Sequence, residues 1–228
     1  GAVEELGRYL GLKKAPYRME CFDISHMQGS ETVASMVVFE GGVAKKSDYR
    51  RFKIRSAEGK PDDFKSMREV TTRRYGAPDA EMPDLIVIDG GKGQLSSALE
   101  IIRGAGHLLV PVVGLAKREE EVFREGESEP VILPRDSQAL FLIQRIRDEA
   151  HRFAITYHRR LRGKRNMVSV LDHIEGIGPK RRQLLYEHYG ELEKIKEASV
   201  EEMAGLDGMN RPAAEAVYNF FLAQRNLR

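Results

Sequence analysis

LIVIDGGKGQLSSALEII, residues 85–102, drives four consecutive apolar residues into Asp89, then two glycines, a lysine, a third glycine and a segment of helical character. An apolar run without alternation suits a central parallel strand covered on both faces. The glycines suit a tight turn into a helix, and VPVVGLA (110–116) reads as the next short buried strand, which makes a β-α-β unit. Working upstream, YRMECFDI (17–24), VASMVVFEGG (33–42) and SDYRRFKI (47–54) are β-rich runs. The short pieces between them, SHMQGSET and VAKK, predict an antiparallel meander. Between meander and β-α-β unit, Phe64, Met67, Val70 and Thr71 recur at helical spacing, with an Asp-rich start and Gly76 at the end. Downstream, EEVFREGESEPVIL reads as a hairpin around Gly126, followed by a long helix with Asp136 as its N-cap.

The order is therefore βββαβαβ, hairpin, α. A three-stranded meander feeding parallel β-α units predicts an α/β ribonuclease H-like mixed sheet with flanking helices over residues 1–161. LRGKRNMVS (161–169) is polar and basic, and 162–169 reads as a linker. Beyond it, HIEGIGPKRRQLLYEHYG and EMAGLDGMNRPAAEAVYNFF are two copies of an apolar-x-Gly-x-x unit followed by a helix, so 170–228 reads as a small all-α domain built by duplication.

Across 228 residues, 41% hydrophobic, the chain can build one sizeable core and a smaller companion. The 37 Lys and Arg against 35 Asp and Glu leave a net charge of +2, so a nucleic-acid footprint has to come from clustering. The single cysteine, Cys21, excludes an internal disulfide and any multi-cysteine zinc site. No apolar run approaches the ~18 residues of a membrane span, so a cytoplasmic protein without a membrane partner is expected. The abrupt start, with Gly1 read as a cloning remnant, suggests a fragment of something longer.

Strict alternation puts Met19, Cys21 and Asp23 on one face of the first strand and Leu85, Val87 and Asp89 on one face of the fourth. If these strands are neighbours, two carboxylates lie side by side and repel unless one is protonated or a cation lies between them. The natural guest for oxygen ligands is a hard divalent cation, Mg²⁺ or Mn²⁺. In RIRDEAHRFAI the apolar side of the long helix is marked by Leu140, Ile143, Ala150 and Ala154, and Asp148 and His151 lie along its edge, either able to supply a third ligand. Such an assembly suits phosphodiester hydrolysis. After Asp89, GGKG lets the backbone approach a phosphate with Lys92 at the positive helix end, although a solvated turn lysine is an equal reading. It is not a P-loop, which disfavours an ATPase.

MECFDISHMQGSETVASMVVFEGG, YRRFKI, DDFKSMREVTTRRYG, LIVIDGGKGQLSSA and RDEAHRFAITYHRRLR, in this order, resemble successive blocks of the C-terminal half of the UvrC family, bacterial nucleotide excision repair endonuclease subunits. The resemblance implies a ribonuclease H-like endonuclease domain, a tandem helix-hairpin-helix domain, and incision on the 5′ side of a DNA lesion. It implies that Asp23, Asp89 and His151 bind the metal, choosing His151 over Asp148, and that Asp63 is needed for incision, where its place at a helix start equally suits capping. Asp148 is then left to orient the imidazole, and His26 either approaches the scissile phosphate or stabilises a turn. The implied partners are double-stranded DNA with a lesion, the UvrB protein and an N-terminal half of the same protein.

Arg50, Arg51 and Lys53, with Arg73 and Arg74, form basic clusters able to follow DNA phosphates or merely to solvate a face. In IEGIGPKRRQLL, which resembles a helix-hairpin-helix, Gly176 and Gly178 open the backbone to a phosphate while Lys180 and Arg181 add charge. In the second copy Gly208 comes a residue late and Pro212 sits near the helix start, which suits packing more than binding. The expectation is a metal-dependent DNA endonuclease; its rivals are a non-catalytic DNA-binding scaffold and a transposase- or resolvase-like nuclease.

Overall fold

A computed structural model describes residues 1–27, 31–56 and 62–227. The middle of the predicted turn after the first strand, 28–30, and residues 57–61 lie outside the described residues. The chain divides into two compact units, Gly1–Ile155 and Thr156–Arg228.

The first unit opens with a helix, α1 (Ala2–Tyr9), and strands β1 (Arg18–His26) and β2 (Thr32–Glu40). The third run of the predicted meander is broken up: a two-residue strand β3 (Val43–Ala44) occupies the VAKK turn, a 3₁₀ turn covers Lys46–Asp48, and β4 (Arg50–Ile54) completes it. Both β3 and β4 pair antiparallel with β2. There follow α2 (Asp63–Tyr75), β5 (Leu85–Asp89), α3 (Gly91–Gly104), β6 (Val112–Leu115), and the hairpin of β7 (Glu121–Arg124) and β8 (Val131–Ile132). The sheet runs β3-β2-β1-β5-β6-β7-β8, with β1, β5 and β6 parallel, as a ribonuclease H-like mixed sheet requires.

Alternation decides which residues enter which layer. Met19, Cys21, Val37 and Val87 face α1 and the long helix α4 (Gln138–Asp172), which supplies Ile143, Ile146 and Ala150. Phe22, Met36, Ile86 and Ile88 face α2 and α3, which supply Met67, Val70, Ala98 and Ile102. Each large side chain so buried contributes about 1.5–3 kcal/mol. Two details differ from the sequence reading. Phe64, read as part of the apolar stripe of α2, is 52% exposed: it stands in the first turn of the helix, with its ring against Gly93 of α3. Asp136 does not cap α4: the Ser137 hydroxyl accepts from the Leu140 amide at 3.1 Å, one residue later.

The stretch 162–169, read as a linker, is helical throughout. Met167, Leu171 and Ile174 recur at helical spacing and are buried, Met167 and Leu171 from the end of α4, which places them in the core of the second unit. That unit continues with α5 (Pro179–Tyr189), α6 (Leu192–Glu197), α7 (Val200–Ala204) and α8 (Arg211–Arg225), around Leu185, Met203, Val217 and Phe221. No described helix is long and apolar enough to cross a membrane.

Candidate active site

β1 and β5 pair in parallel with Cys21 opposite Val87 and Phe22 opposite Ile88, so Asp23, within β1, and Asp89, the last residue of β5, emerge side by side on adjacent strands. The turn after Asp89 is possible because Gly91 takes φ +75, a backbone that L side chains rarely adopt. It carries the chain off the strand within two residues and leaves the Asp89 carboxylate at the C-terminal end of β5. α4 buries Ile143, Ile146, Ala150 and Ala154. The same helix brings Arg147 and His151, one turn apart, against the two carboxylates.

His151 Nε2 lies 2.6 Å from Asp89 Oδ2 and 3.9 Å from Asp23 Oδ1. One donor atom from each of the three residues lies within 4.8 Å of the others. Asp89 Oδ1 accepts from Arg147 Nε at 3.1 Å and Nη2 at 3.0 Å, and Nη2 also donates to the Ala116 carbonyl at 2.7 Å. Asp23 Oδ2 accepts from the Ser25 hydroxyl at 3.3 Å. The carboxylates are largely covered while the imidazole is 47% exposed, so the cluster opens to solvent on the His151 side.

Burial, followed by the neighbouring Asp89 charge, pushes the Asp23 carboxyl up to about 6. Burial and the same two carboxylates also push the Cys21 thiol up, which keeps it neutral beneath them. Two carboxylates with only one guanidinium attached leave surplus negative charge in a partly desolvated place. Oxygen donors and one imidazole, in excess negative charge and open on one side, fit a hard divalent ion such as Mg²⁺ or Mn²⁺. Among the described residues no other group of three or more His, Cys, Asp and Glu side chains comes together in this way.

The other singled-out residues fall in several places. Asp63 is the first residue of α2, but Asp62 caps that helix, accepting from the Lys65 amide at 3.1 Å. That frees the Asp63 carboxylate to bond His26 Nε2 at 2.5 Å, while His26 Nδ1 lies 3.1 Å from the Thr32 hydroxyl. Lys92 Nζ sits on the Ser128 carbonyl at 2.5 Å and over the Phe123 ring at 5.1 Å. Neighbouring positions on β4 send Arg50 over Phe52 at 4.6 Å and Arg51 over Phe153 at 3.8 Å. Arg73 donates to the Lys53 carbonyl, and Arg74 to Glu20 and the Glu81 carbonyl, so both are engaged within the fold. Asp148 is exposed, and it is Asp89, not Asp148, that holds the His151 ring. Arg147 escaped the sequence reading, although its i, i+4 relation to His151 placed it on the same helix edge.

In the second unit Gly176 has φ +88 and Gly178 is the N-cap of α5, with no side-chain cap and with Pro179 at the first helical position. Lys180 is exposed, whereas Arg181 donates to the Gly176 carbonyl at 2.9 Å and reaches the Gly208 carbonyl at 3.4 Å, joining the two glycine turns. The corresponding helix α8 is capped: Asn210 Oδ1 accepts from the Ala213 amide at 2.8 Å.

The family model described as "UvrC RNAse H endonuclease domain" matches residues 7–155, and one described as "SAM-like Helix-hairpin-helix tandem" matches 168–221. The chain is 46% identical to "UvrABC system protein C" of Desulforudis audaxviator over 96% of its own length and 39% of the relative's. To the protein of the same name from Symbiobacterium thermophilum it is 48% identical, over 95% and 39%. To that of Chlorobaculum tepidum it is 48% identical, over 97% and 35%. The chain thus spans well under half the length of these curated relatives.

Proposed function

This chain belongs to the UvrC RNase H endonuclease domain family, and from that premise we propose that it is a divalent-metal-dependent DNA endonuclease. Its reaction would be phosphodiester hydrolysis, the incision 5′ to a lesion in nucleotide excision repair. The observation that carries the reading is the meeting of Asp23, Asp89 and His151, two carboxylates on adjacent strands and an imidazole from α4. These three would hold Mg²⁺ or Mn²⁺. When bound, such an ion acidifies water and neutralises charge building on the phosphate.

The rest falls to the chain's own side chains. Arg147, through two bonds to Oδ1, fixes the Asp89 carboxylate and leaves Oδ2 facing the cluster. Ser25 restrains Asp23 in the same manner. The exposed imidazole edge of His151 marks the side from which a phosphate approaches. Asp63, held by His26, would act next to this cluster, where its charge is already felt by Asp23. In the second unit, the uncapped start of α5 with Gly176, Gly178 and Lys180 would take a duplex phosphate on backbone N–H groups without reading sequence. Arg50 and Lys92 would contribute charge at most after leaving their aromatic partners. The relatives' name, of a UvrABC system, supports UvrB as a partner; lesion-bearing double-stranded DNA, an N-terminal half of the protein and a cytoplasmic setting belong to the same proposal.

The test is nicking of bubble-containing DNA in Mn²⁺ by the wild-type chain and by Asp23→Ala, with DNA binding measured alongside. Nicking is expected to fall by at least ~100-fold in the variant, with binding retained. Equal nicking by both would overturn the site. Binding without nicking by either would favour the scaffold reading.

A further inference from the structure

We propose that the recess between the starts of α2 and α3 is a nucleobase subsite, receiving one unpaired base of the strand whose backbone lies at the Asp23–Asp89–His151 cluster. The proposal rests on the nuclease reading above. His26, Asp63 and Phe64 line this recess on one side, and Gly90, Gly93 and Gln94 on the other. Gly90 follows Asp89 directly, so the recess adjoins the cluster.

Three features point to a base. Gln94 is 7% exposed, yet its Oε1 has no hydrogen-bond partner among the described residues, an arrangement that normally costs free energy. The side chain lines the recess and is folded over Gly90, where a Cβ would come within 2.4 Å of Gln94 Cγ, so glycine at 90 leaves room for it. A base edge carries the donors and acceptors that an amide pairs with.

The second feature is Phe64, a 52% exposed ring at the rim that packs so closely on Gly93 that a Cβ there would stand 2.5 Å from Phe64 Cε1. An exposed aromatic ring backed by helix backbone is a stacking platform, and stacking tolerates any base.

The third feature separates a base from a phosphate. α3 begins without a side-chain cap, which by itself favours an anion. Against that, the Asp62 and Asp63 carboxylates stand across the recess, and they repel a phosphate while accepting from the amino and ring N–H groups of a base.

The test uses Asp23→Ala, which leaves the recess intact, bound to bubble DNA with one 2-aminopurine at successive unpaired positions. Stacking on an aromatic ring quenches this base. Quenching is expected at one or two adjacent positions, to vanish in Phe64→Ala and to weaken in Gln94→Met, with overall affinity falling roughly tenfold or less. Quenching that is absent, uniform along the bubble, or unchanged by Phe64→Ala overturns the subsite. Nicking by the chain with Asp23 intact is run in parallel. Nicking without any Phe64-dependent position overturns the subsite alone, and a Phe64-dependent position without nicking supports the subsite and overturns the nuclease reading.

Discussion

Glu20 and Asp23 stand three residues apart on β1 and, by alternation, on opposite faces of the sheet. Glu20 is completely buried, yet its carboxylate accepts from Arg18 Nε at 2.9 Å, Arg74 Nη2 at 3.0 Å and the Tyr75 hydroxyl at 2.6 Å. Burial, then the Glu20 charge, holds the Tyr75 phenol well above its usual range, so it stays a donor. Two guanidinium groups and a phenol on one carboxylate close that centre electrostatically. Asp23 shares its face with a second carboxylate, one guanidinium bonded to that neighbour, and an imidazole half open to solvent. Burial therefore does not distinguish the two places. The difference is that one has its charge answered from within the chain, and the other has a deficit shaped for something brought from outside.

If this contrast is right, the two carboxylates respond to substitution with opposite signs. Glu20→Ala strands Arg18 and Arg74 against a buried void and is expected to cost about 3–5 kcal/mol in urea or thermal unfolding. Glu20→Gln, which keeps the shape, should cost less. A loss below about 1 kcal/mol for the alanine variant would mean that the centre is not closed as described.

Asp23→Asn is expected to stabilise the metal-free chain by about 3 kcal/mol at most, in line with a carboxyl pushed from its usual range up to about 6. The folded protein keeps the Asp23 proton until pH about 6, while the unfolded chain releases it near 4. Stability conferred by the protonated group is therefore complete below about pH 4 and is lost as pH rises through 6. Asparagine has no proton to lose, so its advantage should open between pH 4 and 6 and stay level above. Melting in a chelator at several pH values checks this, and a variant less stable than wild type at pH 7 would break the comparison.

Much of this was legible beforehand, for identifiable reasons. The unalternating run before Asp89 and the meander before it fixed strand identity, and parallel neighbours then follow from the order of elements. Side-chain alternation is rigid in a strand, which is why the sequence alone puts Asp23 with Met19 and Cys21, and Asp89 with Leu85 and Val87, on one face. What the sequence hid were long, flexible cations. Nothing local says that Arg74 turns to Glu20, that Lys92 lies on Ser128 and Phe123, or that Arg181 bridges two glycine turns, because Glu20, Ser128 and Gly208 lie 54, 36 and 27 residues from the cations that reach them. The helical character of 162–169 was hidden for a related reason: polar and basic residues around Gly163 carry no apolar stripe of their own, and only Met167 and Leu171, one turn apart, are buried in the core of the second unit.

The same distinction between a group answered from within and one left for a ligand extends to two glycines in the second unit, where the smallest effect on stability is expected. Gly176 has φ +88, so alanine there is strained by about 1–2 kcal/mol whatever surrounds it. Gly178 has an ordinary φ of −87, and a Cβ built on it meets nothing within 4 Å. The fold therefore gives no steric reason for glycine at 178. Gly178→Ala should change stability by less than about 0.5 kcal/mol, since a slightly poorer helix cap is offset by a less flexible unfolded chain. If the start of α5 receives a phosphate, however, the added methyl stands where the backbone must approach it, and DNA affinity should fall roughly tenfold. Calorimetric melting together with fluorescence anisotropy on duplex DNA separates the two effects. Unchanged affinity with unchanged stability would remove the first hairpin from the proposed DNA contact and leave the α5 turn, like the capped start of α8, a packing element only.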